Sequence, residues 1–148
     1  MRLAGFAAVL LAAAALAGCG GEEEAATWEG PPEPDASGQV SVEEFAAYQE
    51  DVDERWERSP ALAAAEFVRL DERTAPRTTI ESSAVGEGMG PQTVVLTLDR
   101  LLDDSVRAER WTLLFEPVDD IYRLSSARRD LRCQPGRGHQ AFAPDPCA

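Results

Sequence analysis

The chain contains no lysine and no asparagine, and His139 is its single histidine. Without lysine there is no Schiff-base chemistry and no lysine general base, and any basic recognition falls to arginine, whose planar fork suits carboxylates and phosphates. Cysteine is scarce, limited to Cys19, Cys133 and Cys147. There is no Cys-x-x-Cys pair, no glycine-rich phosphate loop and no Gly-x-Ser-x-Gly elbow, so the common local marks of catalysis and metal binding are missing. Positive charge is absent where negative charge is densest. Twelve acids and no arginine lie between Glu22 and Glu54, whereas fifteen acids face thirteen arginines from Arg55 onward, within a net charge of −13. Such an acidic stretch is repelled by nucleic acid and by anionic head groups, which excludes nucleic-acid binding and marks a solvated spacer. The lack of lysine and asparagine beside abundant alanine is the signature of a GC-rich genome.

Apolar runs long enough to span a bilayer are also missing. The stretch from Leu3 to Leu16 is too short to cross and stay; with Arg2 before it and Leu16-Ala17-Gly18-Cys19 after it, the segment reads as a secretory signal. The ending resembles a bacterial lipobox. That resemblance implies a signal peptide over 1–18 and a mature chain whose Cys19 carries a diacylglycerol thioether, with palmitate or another acyl chain on the new amino terminus. Each buried methylene contributes about 0.8 kcal/mol, so two or more chains hold a protein firmly. The expected location is the cell membrane, on its extracytoplasmic face.

Residues 19–40 contain Gly20-Gly21, three consecutive glutamates, Pro31-Pro32, Pro34 and Ser37-Gly38. This composition predicts a disordered acidic tether with a reach of roughly 25 Å. Trp28 is its only large apolar group. A lone linker tryptophan is read as free, with docking on the domain or contact with the membrane as alternatives.

Residues 41–148 are expected to form one α+β domain. Ser41 with Glu44 forms a capping-box pattern, followed by Val42, Phe45, Val52 and Trp56 on one helical face, with polar Gln49 interrupting the stripe. Ser59-Pro60 opens a second helix, through Leu62, Ala63, Phe67, Val68 and Leu70. Beyond Pro76 the period becomes alternating. A weak strand at 77–85 ends in a Gly-rich turn, Val94, Leu96 and Leu98 share one face of the next, and Trp111, Leu113 and Phe115 share one face of a third. Ile121 to Arg132 supplies a fourth. Two N-terminal helices on a four-stranded antiparallel sheet is an order similar to cystatin-like and nuclear-transport-factor-two-like cones, which implies a pocket between helices and sheet.

With Cys19 acylated, Cys133 and Cys147 remain as an even pair in an oxidising compartment, and a disulfide is the economical reading. The alternative, a metal held by Cys133, His139 and Cys147, requires reduced thiols and lacks a fourth ligand unless Asp145 joins; no metal or other cofactor is expected. Between the cysteines lies Gln134-Pro135-Gly136-Arg137-Gly138-His139-Gln140-Ala141-Phe142. This ending, with Asp103-Asp104-Ser105-Val106-Arg107-Ala108-Glu109-Arg110-Trp111 upstream, resembles a family of actinobacterial secreted proteins and lipoproteins that carries a Cys-x-Pro-Gly-Arg-Gly-His-Gln-x-Phe…Cys motif. The resemblance implies the disulfide and the lipid anchor but no reaction.

Arg137, His139 and Gln140 are the candidate ligand- or partner-binding residues, since a cross-linked loop presents donors at low entropic cost. Arg137 suits a carboxylate or phosphate, as in peptidoglycan stem peptides or teichoic acid. No catalytic residue is assigned. Ser82-Ser83 and Ser125-Ser126 lack a nucleophile setting, and Asp103-Asp104 and Asp119-Asp120 are read as turn formers. The leading expectation is a non-catalytic, lipid-anchored module that binds a cell-wall component or a membrane-protein partner. One alternative is a small-molecule carrier with a pocket lined by Phe45, Trp56, Phe67 and Trp111; another is a hydrolase centred on His139.

Overall fold

The computed structural model describes residues 26–84 and 90–148. The signal peptide expected over 1–18, Cys19 and the three consecutive glutamates lie outside the described residues. Among the described residues, no helix is long and apolar enough to cross a membrane.

The sheet has five antiparallel strands: β1 (Gln39–Val40), β2 (Arg77–Ala84), β3 (Gln92–Asp99), β4 (Val106–Val118) and β5 (Ile121–Cys133), in the order β1-β5-β4-β3-β2. Among the described residues only two short α-helices accompany it, α1 (Glu43–Asp51) and α2 (Pro60–Phe67), with 3-10 turns at Arg55–Arg58 and Leu70–Glu72. This corrects the expected four-stranded α+β cone. The fold is mostly β, dominated by two thirteen-residue strands. The helices are short for physical reasons. Glu50, Asp51, Asp53 and Glu54 crowd the C-terminal end of α1, where the helix dipole is already negative and no basic residue answers it. The backbone turns extended at Val52, and Glu54 and Glu57 close a capping box that starts a separate 3-10 turn. Ser59 caps α2 as read, accepting from Leu62 N at 3.4 Å. That helix ends where Arg69 adopts a left-handed conformation.

The alternation in β3 and β4 is realised in the register. Val94, Leu96 and Leu98 lie opposite Leu113, Trp111 and Glu109, all on the buried face. A bulge between Leu114 and Phe115 leaves Ser125 as the extra residue of β5, and its hydroxyl donates to Leu114 O at 3.0 Å. Ser125 therefore serves the strand's geometry.

Against this face pack Phe45 of α1 and Ala63, Ala64, Phe67 and Val68 in and just after α2. Trp28 completes the core. It is 6% exposed, its ring stacks on Phe67 and meets Phe45 edge-on at 5.0 Å, and its indole N–H donates to Phe67 O at 2.8 Å. Arg69 grips Trp28 O from outside. Residues 19–40 are expected to form a tether, with docking of Trp28 on the domain as one alternative; of the described part, Trp28 and β1 pack on the domain. Asp35 organises the approach to β1, its carboxylate accepting from Ser37 N, Ser37 Oγ and Gln39 N. Gly38 follows at φ +85°, and a Cβ there would stand 2.7 Å from Arg129 O and 2.9 Å from Pro144 Cβ. Only glycine lets the N-terminal segment approach β5 this closely.

Gln49, which interrupts the apolar stripe of α1, is completely buried. Its amide donates to Tyr122 O at 3.0 Å and accepts from Leu124 N at 3.2 Å, imitating a neighbouring strand along β5. A buried polar group is tolerated when its bonds are made, and here they are.

Candidate functional site

Cys133 and Cys147 form a disulfide with a Cα–Cα distance of 5.4 Å. It closes a loop that folds back on the end of β5. Cys133 N donates to His139 O at 3.0 Å, and Leu131 and Ala143 exchange backbone hydrogen bonds in an isolated antiparallel bridge. Phe142 lies over the guanidinium groups of Arg110 and Arg132, 4.3 and 5.0 Å from its ring centre. Gly138 sits against the disulfide, where a Cβ would meet Cys133 Sγ at 2.9 Å.

The three candidate residues have different roles. Both nitrogens of His139 face carbonyl oxygens, Nε2 to Asp145 O at 2.9 Å and Nδ1 to Ala141 O at 2.8 Å. Two acceptors favour the doubly protonated ring, and the pKa is raised above its ordinary value, first by the bond to Asp145 O and then by that to Ala141 O. Both ring nitrogens are thereby turned to carbonyls of the loop. Gln140 is exposed but its amide nitrogen faces Cys133 O, Gln134 O and Gly138 O at 3.2 to 3.4 Å. Arg137 makes no side-chain hydrogen bond among the described residues. Its backbone is fixed by Arg137 N to Gln134 O and Ala148 N to Arg137 O, its side chain is exposed, and none of the ion pairs among the described residues includes it.

Leu102 is a residue that sequence reasoning passed over. It is 90% exposed, in the turn between β3 and β4, while its neighbour Leu101 packs on the core. Gln134 ties this turn to the disulfide loop, its amide donating to Asp103 O at 3.1 Å and its backbone N–H to Ser105 O at 2.7 Å. Ser105 Oγ also donates to Ala148 O at 2.7 Å. Leu102 and Arg137 thus project from two loops locked together at one end of the sheet. The available signal was a leucine pair set in an otherwise charged turn, Arg100-Leu101-Leu102-Asp103.

The other sequence candidates are structural. Asp103 accepts from Val106 N and Ser105 N, which lowers its pKa and makes it a turn former as read. Asp119 holds a left-handed turn conformation. Arg110 and Arg128 pair with Asp130, Arg132 with Asp99, and Arg129 with Glu33. A ligand atom from each of Cys133, His139 and Cys147 lies within 4.8 Å of the others, but the two sulfurs are bonded to each other and are not thiolates.

The space where a carrier pocket was expected is occupied by aromatic rings. Phe45 contacts Trp56 and Phe67, Phe67 contacts Trp111, and Trp28 enters between the helices to touch both phenylalanines. Two open grooves, of about 510 and 320 Å³, run instead along the outer side of β1 and the tail, and share Glu33 and Asp35. Comparison with models of protein families, with curated proteins and with solved structures finds no match for this chain.

Proposed function

We propose that this protein is a non-catalytic binding or assembly module, held by lipid at Cys19 on the outer face of the cytoplasmic membrane, that engages a wall component or membrane-protein partner through the end of the sheet carrying Arg137 and Leu102. The observation that carries this reading is the division of labour in the disulfide loop. Both ring nitrogens of His139 and the amide nitrogen of Gln140 hold it, so Arg137 is displayed on a supported loop. An exposed guanidinium and an exposed leucine on two linked loops offer a charge-assisted fork and an apolar contact. A carboxylate or phosphate of the wall is the matching chemistry.

The buried Trp28 supports a short leash. Eight residues lie between it and Cys19, and the nine steps from one to the other, at about 3.5 Å each, reach at most ~32 Å. The domain therefore works within roughly its own diameter of the anchor. Radiolabelled palmitate should enter the chain, and Cys19→Ala should release it to the medium. Binding of the full chain to isolated wall or to membranes should fall at least tenfold in Arg137→Ala and in Leu102→Asp; unchanged binding in both would overturn the assignment of this surface.

A further inference from the structure

We infer that the chain pairs with a second copy of itself through the free edge of β2, extending one antiparallel sheet across a twofold axis. The two edges of the sheet are treated differently. Along β5 nearly every outward backbone position has a partner: the Gln49 amide at Tyr122 and Leu124, β1 at Ala127 and Arg128, Gly38 O at Arg129 N, Ala143 at Leu131, and His139 O at Cys133 N. At the opposite edge β2 pairs only with β3, and among the described residues nothing covers its other side along eight residues. An edge left open at this length is a template for a further strand.

The side chains of β2 specify what that strand is. Arg77, Thr79 and Glu81 share one face of the sheet, and Thr78 and Ile80 share the other, with Ile80 39% exposed. Two copies running antiparallel and centred on Thr79 place Arg77 of each opposite Glu81 of the other, giving two cross-strand ion pairs related by symmetry. Ile80 of each then lies diagonal to its counterpart. The pairing conserves faces, since antiparallel partners directly opposite each other point the same way. Registers centred on Arg77 or Glu81 set like charges against each other and are disfavoured. Both groups are available: neither Arg77 nor Glu81 is in an ion pair among the described residues, and Asp99, across from Arg77 on β3, is held by Arg132 at 2.7 Å. Opposite charges four residues apart therefore reject most incoming strands and accept this one. The surface lies along β2, at the opposite edge of the sheet from β5 and the Arg137 loop that follows it, and does not depend on the lipid anchor.

Charge exchange tests it on the full chain in detergent micelles. Sedimentation should show a reversible dimer whose dissociation constant rises at least tenfold in Arg77→Glu and in Glu81→Arg, and returns to within threefold of the starting value in the double variant. Near-ultraviolet circular dichroism checks that each variant is folded. Thr79→Cys should form a covalent dimer on mild oxidation, while Ser83→Cys should not. A monomer at all accessible concentrations, no recovery in the double variant, or cross-linking of Thr79→Cys only to a different protein would each overturn the proposal.

Discussion

Replacing Trp28 by alanine tests whether the N-terminal segment belongs to the domain. A tryptophan buried to this degree removes about 150–250 Å² from water, worth ~4–6 kcal/mol at roughly 25 cal/mol per Å² as an upper bound. Large aromatic-to-alanine changes in cores cost about 3–5 kcal/mol. The indole also donates to Phe67 O at 2.8 Å and lies against Phe45, so its removal opens a space between α1 and α2. The expected loss is about 4 kcal/mol, a large share of the 5–15 kcal/mol available to a domain. Urea unfolding of the disulfide-intact chain, followed by circular dichroism, should show a lower midpoint with little change in slope. Trp28→Phe should recover more than half of the loss, because the ring stacking survives and only the hydrogen bond goes. If residues 26–40 were a free tether, Trp28→Ala would cost nothing measurable. A loss below about 1 kcal/mol would refute the docking of this segment and the short leash that follows from it.

Gln49→Leu should cost about 2–4 kcal/mol, since it strands a buried carbonyl at Tyr122 and a buried N–H at Leu124; hydrogen exchange at Leu124 should accelerate and Ala127 should stay protected. Cys133→Ser with Cys147→Ser should lower stability by about 3 kcal/mol through loop-closure entropy, read by thermal unfolding, while the rest of the sheet keeps its amide protection. His139 is held above its ordinary 6.5, so its contribution is fully present below that pH and is lost as pH rises through the folded value. A ring titration by NMR should give that higher value, and His139→Gln should flatten the pH dependence of the urea midpoint in that window.

The meander from β3 onward was legible because each strand alternates with a period of two: Val94, Leu96 and Leu98, then Trp111, Leu113 and Phe115, lie on the buried face as their spacing requires. The cap at Ser59-Pro60 and the disulfide were equally local signals. The fifth strand was not legible, because two residues have no period and β1 is defined by its hydrogen bonds to β5 and by the approach that Gly38 permits. Trp28 is held by a gap between helices that no local pattern around it announces. Gln49 looked like a flaw in an apolar stripe and is the group that covers part of an edge strand. The acids closing α1 were visible, and weighing them against the helix dipole would have shortened the helix and moved the fold toward β. In the tail, sequence gave three candidates of equal standing; only the positions of backbone carbonyls separate His139 and Gln140, which hold the loop, from Arg137, which it displays.

Residues 33–40 rest on β5 and on the tail that follows it. Glu33 bonds to Arg129, Gly38 lies against Pro144, and Gln39–Val40 pairs with residues almost ninety positions downstream. A chain emerging from its N-terminus cannot pair these residues until β5 has followed, so the closing step waits for synthesis past Arg129. A product cut short before Ala127 would keep Trp28 against Phe45 and Phe67 yet leave residues 33–40 without the strand they pair with, which makes arrival of β5 a condition of closure.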